Sequence, residues 1–383
     1  MKREVHPLRL VLKAVLLCIA LNIVYAVVDP PVGKLSLYNH GVPGRLRFPY
    51  EQEPSYYYIG YNAPVYEDFD AMFGAHIISS RKAGDEFRLI LLGDSATWGI
   101  SVQAQETLSE RINQLQLKSC DGRSVHAYNL GYPMPFLMRD ALILDKAMDY
   151  EPDMILWLVT LYTLEPKKAE TYFIYPHAER YQSLVSRYGL ASSNLAGPMP
   201  ERTFWDETLV GERRRLKKLV LTQMLGLLWA ATGIDNHEGL QLMTSPPGAD
   251  VSDQLDYEGW QPEESARLLD TLMFDVLSAG VKRAGDVPVI LVNEPIFIAE
   301  GRNHLIRYNA FYPRWAYDEY REWMAEWTEK ENLPLLDYWK DLPPLGFSDQ
   351  NFHRSSSGEE QFAKLLAPEI SRLGCSRQNS QPQ

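Results

Sequence analysis

Three side chains in this sequence are suited by type and spacing to covalent catalysis. Ser95 sits in Gly93-Asp94-Ser95-Ala96-Thr97-Trp98-Gly99, and Asp349 and His353 sit in Phe347-Ser348-Asp349-Gln350-Asn351-Phe352-His353. A serine hydroxyl becomes a nucleophile when an imidazole accepts its proton. The imidazole keeps the required tautomer when a carboxylate accepts from its other ring nitrogen. A small residue ahead of the serine permits a sharp turn that lifts the hydroxyl, and the backbone N–H at that turn can face an oxyanion. Asn129-Leu130-Gly131 offers a second such donor, because a glycine N–H can approach a substrate oxygen closely. The chemistry these groups would do together is acyl transfer through an acyl-serine.

Such groups work only if separate elements bring them to one place. Residues 87–92 (FRLILL) form a short apolar run ending in glycine, the pattern of a strand buried on both faces. Helical spacing follows over 106–117, a strand over 125–130, a helix over 136–150 and a very apolar strand over 153–160. After an interruption the alternation resumes with a helix over 265–283, a strand over 287–292, a helix over 315–331, a short strand over 334–338 and a helix over 357–373. This predicts an α/β fold: a doubly wound, flavodoxin-like parallel sheet of five strands in order 2-1-3-4-5, inside a three-layer αβα sandwich. Ligands of such sheets bind beyond the carboxyl ends of the strands, where the Gly-Asp-Ser, Asn-Leu-Gly and Asp/His segments all fall.

The order Gly-Asp-Ser, Gly, late Asp and His resembles the SGNH (GDSL-type) hydrolase family over about residues 86–373. The resemblance implies Ser95 as nucleophile, His353 as base, Asp349 as its orienting acid, and the N–H groups of Ser95 and Gly131 as oxyanion donors. Two departures stand out. The family's Gly-x-Asn-Asp block after the third strand is replaced by Val159-Thr160-Leu161-Tyr162-Thr163, so its side-chain amide must come from elsewhere. Candidates are Thr160, Tyr162, Thr163, or Asn293 in Asn293-Glu294-Pro295, a segment that reads equally as a simple strand-ending turn. Asp349 also precedes His353 by four residues where the family has three; a one-residue bulge would restore the geometry, and Gln350 or a carbonyl would otherwise orient the ring.

Residues 1–28 carry Lys2, Arg3, Arg9 and Lys13 ahead of an apolar run from Ala14 to Val28, then Asp29-Pro30-Pro31. This reads as a transmembrane signal anchor with the rest of the chain outside the cytoplasm, in preference to a signal peptide cleaved after Ala26. Residues 29–85 read as a stalk and covering segment, 86–373 as the catalytic domain and 374–383 as a disordered tail. Residues 164–261 form an insertion. Its run RRRLKK followed by residues 219–234 reads as a buried lid helix or, more sharply, as a helix lying in the membrane interface; it is short for roughly 30 Å of hydrocarbon. Cys120 and Cys375 follow the first and last helices of the sheet, which such a topology packs on one face, so a Cys120–Cys375 disulfide is expected in an exported domain.

The formal net charge of -12 and the lack of a concentrated basic face argue against nucleic acid. No metal-ligand spacing, phosphate loop or dinucleotide fingerprint occurs, and no cofactor is expected. The 22 tyrosines and 9 tryptophans suit a carbohydrate-facing surface as well as a core. The expected function is an extracytoplasmic serine esterase or O-acyltransferase on acyl esters, with glycans implied by anchored relatives of the fold. The alternative is a weakened module that binds a glycan or assists a membrane-bound acyltransferase.

Overall fold

The structure, a computed structural model, describes residues 6–30, 32, 44–48, 69–167, 174, 177–191, 203–232 and 248–374. Helix α1 (Pro7–Val28) opens it, with proline in its first turn where no N–H is needed and Asp29 closing it in the left-handed region. Its most apolar stretch has a mean hydropathy of 2.5 and is 6% buried, so the helix is long and apolar enough to cross a membrane.

Helix α2 (Phe69–Ala75) leads to strand β1 (Glu86–Leu92), buried at every position. Then come α3 (Ser95–Trp98), α4 (Leu108–Gln114), β2 (Ser124–Asn129), α5 (Leu137–Ala147) and β3 (Met154–Val159). Helix α6 (Arg213–Thr232) lies in the insertion, followed by α7 (Phe274–Ala284), β4 (Val289–Asn293), α8 (Arg314–Lys330), β5 (Leu335–Asp337) and α9 (Ser356–Leu373). The five strands are parallel in the order β2-β1-β3-β4-β5.

Because successive strand residues face opposite ways, the sheet builds two cores. Leu89, Leu91, Leu156 and Ile290 pack with Leu108 and Ile112 of α4 and Phe362, Leu366 and Ile370 of α9. Ile90, Ile155, Trp157 and Leu291 pack with Leu142 of α5, Leu277 of α7 and Tyr317 of α8. Phe48, Met72 and Phe73 join the second core, so the described parts of the upstream segment cover that face. The register pairs Leu91 with Asn129, Leu92 with Trp157, Val159 with Asn293 and Asn293 with Asp337, which brings the carboxyl ends of all five strands to one edge.

Three expectations change. The helix read over 265–283 is two helices, Ser265–Thr271 and α7, because Leu272 is extended and the Met273 N–H bonds Leu164 O instead of continuing the first helix. Helix α6 begins at the basic run, and where a buried lid was one expectation, Val220, Met224 and Leu228 among its described side chains are exposed. Cys120 is an exposed free thiol in the Ser119–Gly122 turn, and Cys375 lies outside the described residues. The end of α9 at Gly374 sits over Phe87 of β1 and Met154 of β3, whereas Cys120 precedes the edge strand β2.

Candidate active site

The β1–α3 turn is shaped by sterics. Gly93 has φ +153, and a Cβ there would lie 2.3 Å from Thr97 Oγ1 and 3.1 Å from Leu158 O. No other residue type fits without moving backbone. Asp94 caps the short helix by accepting from the Ala96 N–H at 2.8 Å, which leaves Ser95 first in the helix and 7% exposed. Among the described residues no protein acceptor takes the Ser95 N–H.

Ser95 Oγ lies 2.7 Å from His353 Nε2. The other ring nitrogen, Nδ1, is hydrogen-bonded to Asp349 Oδ2. A carboxylate only accepts, so Nδ1 carries the hydrogen and Nε2 presents its lone pair to the serine hydroxyl. The four-residue spacing is absorbed within the loop. The Ser348 N–H bonds His353 O, Phe347 bridges Arg354, and Asp349 Oδ1 accepts from the N–H groups of Asn351 and His353 at 2.9 and 3.2 Å. Gln350 is not needed to orient the ring.

The expected oxyanion donors are arranged otherwise. Gly131 lies against α3, where a Cβ would meet Trp98 N at 2.7 Å, but its N–H donates to Asn129 Oδ1 at 3.0 Å. The Asn129 amide in turn donates to Thr97 O at 2.8 Å, so the β2 end is fastened to the Gly-Asp-Ser turn. Asn293 is buried, donating to Asp337 Oδ1 at 2.7 Å and accepting from the hydroxyls of Tyr317 and Tyr320. Thr160 Oγ1 accepts from Tyr312 OH at 3.0 Å, and Thr163 Oγ1 accepts from the Thr160 N–H. Tyr162 stands edge-on to Phe311 with Lys167 Nζ 3.4 Å above its ring. Phe311 meets Phe352, and Phe352 meets the His353 ring, so Tyr162 ends an aromatic row leading to the imidazole.

Beneath the turn lies a charged cluster with no recognisable sequence signal. Arg354 is wholly buried, donating to Glu294 Oε2 at 2.7 Å, Glu359 Oε2 at 2.9 Å and Ala96 O at 3.0 Å. It joins the histidine loop, the β4 end, α9 and α3. Burial and the charge of Asp94 push Glu294 up to about 8 against the pull of Arg354. Burial likewise raises Asp94 and Glu359, while the two carboxylates at its bonds keep Arg354 charged. Of these acids Glu294 is the one raised far enough to hold its proton near neutral pH. A second buried pair, Arg139 and Asp140, bonds Pro133 O and reaches Gly93 O, tying the loop after β2 to the same turn. Arg47 completes the frame upstream, donating to Gly99 O and lying over Trp98. Among the described residues no His/Cys/Asp/Glu group is arranged to hold a metal.

No family model and no curated protein matches this chain. Among solved structures, it is similar to a chain from Desulfitobacterium hafniense assigned to a G-D-S-L family of lipolytic proteins. The match has a TM-score of 0.35 and 10% sequence identity, and covers 74% of this chain and 98% of that one.

Proposed function

We propose that this protein is a serine esterase or O-acyltransferase of the SGNH type that works through an acyl-Ser95 intermediate. The observation that carries the reading is the 2.7 Å contact from Ser95 Oγ to His353 Nε2, with Asp349 on the opposite ring nitrogen. Ser95 Oγ adds to the ester carbonyl as His353 Nε2 takes its proton. The carbonyl oxygen, now anionic, faces the Ser95 N–H. Collapse breaks the carbon–oxygen bond of the ester, and His353 returns the proton to the departing alcohol. Water, or the hydroxyl of an acceptor, then gives its proton to His353 and attacks the acyl-serine, which regenerates Ser95.

Acyl esters of carbohydrate are the proposed substrates. An aromatic row runs from half-buried Tyr162 and Phe311 through buried Phe352 to His353, and half-buried aromatic rings beside a catalytic imidazole suit a sugar ring. Helix α1 as a membrane anchor, with residues after 28 on the extracytoplasmic side, fits a surface glycan and an acyl donor passed on by a membrane-bound acyltransferase. Gly131 N–H is already taken, and of the nearby described amides Asn129 is engaged with Thr97 O and Asn293 with Asp337. Loss of each oxyanion donor costs about 10²–10³ in rate, and two are missing here, so turnover is slow. That same deficit favours, as second reading, a module that binds the glycan without turning it over.

Full-length protein in detergent, given p-nitrophenyl acetate and acetylated sugars, tests the two. Turnover that disappears in Ser95→Ala and His353→Ala supports the enzyme. Turnover unchanged by either substitution overturns it, and saturable sugar binding without turnover selects the module.

A further inference from the structure

Helix α6 is basic in its first turns and then presents apolar side chains to the outside, a pattern wrong for a helix facing water. Residues 213, 217, 220, 224 and 228 recur at helical spacing, and all five are exposed. They read Arg213 and Lys217, then Val220, Met224 and Leu228, the last three 56%, 67% and 64% exposed. The segment just before it adds Phe204, Trp205, which is 74% exposed, and Val210, also exposed. Isolated exposed apolar groups are ordinary, but an apolar stripe along a helix face with an aromatic pair beside it marks a contact surface.

What covers it is indicated by the neighbouring helix. The Val210 N–H donates to Asn22 Oδ1 of α1 at 3.0 Å, and Asn22 Nδ2 donates to Cys18 O at 2.8 Å. Asn22 breaks the apolar run of α1, and a polar amide in hydrocarbon is tolerated only with its partners supplied. Here the insertion supplies one of them. Asn22 lies six residues before Val28, or about 9 Å below the end of the helix at 1.5 Å per residue. That is the depth at which an amphipathic helix rests its apolar face at the headgroup boundary, about 5–10 Å in.

We infer that residues 203–232 form a second membrane-contacting element, lying in the leaflet at the C-terminal end of α1. Val220, Met224 and Leu228 enter the acyl layer, Trp205 sits at the interface, and Arg213 and Lys217 meet lipid phosphates. The inference rests on the reading of α1 as a membrane span, and it fixes the catalytic domain against the bilayer instead of leaving it on a free stalk.

The test uses the full-length chain in nanodiscs of phosphatidylcholine and phosphatidylglycerol, with its cysteines at 18, 120 and 375 replaced by serine. A bimane is placed at Met224→Cys or Leu228→Cys, with Leu17→Cys in α1 and Glu329→Cys on the exposed side of α8 as references. The expected result is quenching of positions 224 and 228 by doxyl-labelled lipid and loss of most iodide quenching relative to position 329. Iodide quenching at 224 and 228 equal to that at 329, with lipid quenching at 17 intact, overturns the inference and leaves the anchor standing. Shielding of 224 and 228 from both quenchers assigns the surface to a protein partner and likewise overturns it. Absence of lipid quenching at 17 overturns anchor and inference together.

Discussion

Replacing Arg354 by methionine keeps most of the side-chain volume and removes a guanidinium that makes three buried bonds, to Glu294, Glu359 and Ala96 O. Breaking a buried ion pair by removing one partner costs about 3–5 kcal/mol, because the remaining charge is stranded. Against a net stability of about 5–15 kcal/mol that is a large fraction. With a urea slope near 3 kcal/mol per molar, the midpoint should fall by about 1–1.7 M. At pH 9, above the value near 8 at which Glu294 titrates, that acid is ionised and its stranded charge adds to the loss, so there Glu294→Gln in the Arg354→Met background should recover stability, whereas Glu294→Gln alone should not. The coupling between the two sites should reach about 1–3 kcal/mol in a double-mutant cycle. Urea unfolding followed by tryptophan fluorescence measures all four species. A loss below about 1 kcal/mol in Arg354→Met, or additive substitutions, would refute the claim that this cluster braces the nucleophile turn.

Further predictions concern pH, the acid of the triad and the free thiol. Glu294 sits near 8 in the folded chain against 4.5 ordinarily, so between those values the unfolded chain releases a proton that the folded chain keeps. Stability should therefore be full below about pH 4.5 and fall as pH rises toward 8, by at most about 1.4 kcal/mol per pH unit, and Glu294→Gln should flatten this slope. Asp349→Asn should lower kcat by about 10⁴ with little change in the urea midpoint, since it keeps the shape but favours the wrong histidine tautomer; an unchanged kcat would remove Asp349 from the mechanism. Cys120 should react with a maleimide in the native, unreduced protein, as peptide mass mapping would show. Protection until a reductant is added would reinstate a disulfide.

Much of the sheet was legible because its strands obey one rule throughout. FRLILL and MILWLV are apolar at nearly every position since helices cover both faces, and that pattern also predicts crossover connections and the strand order. The Gly-Asp-Ser turn was legible for a local reason: the clash a Cβ at Gly93 would make is a property of one short turn. Long-range partners were not. Nothing near Arg354 in sequence announces Glu294, and the Asn293-Glu294-Pro295 turn gave no sign that its acid is buried on that arginine while its amide faces Asp337. The Gly131 N–H was expected to be open, but Asn129, two residues away, closes it by a side-chain contact that backbone patterning cannot reveal. The 265–283 helix failed where a tertiary bond to Leu164 outbid continuation of the helix at Met273.

The central claim is that Ser95 is the nucleophile activated by His353. Full-length protein treated with a fluorophosphonate and digested for peptide mass mapping tests it most directly. The account predicts one adduct, on Ser95, slowed in His353→Ala and absent in Ser95→Ala. An adduct on another serine, labelling that persists in Ser95→Ala, or no adduct on the native protein would contradict it.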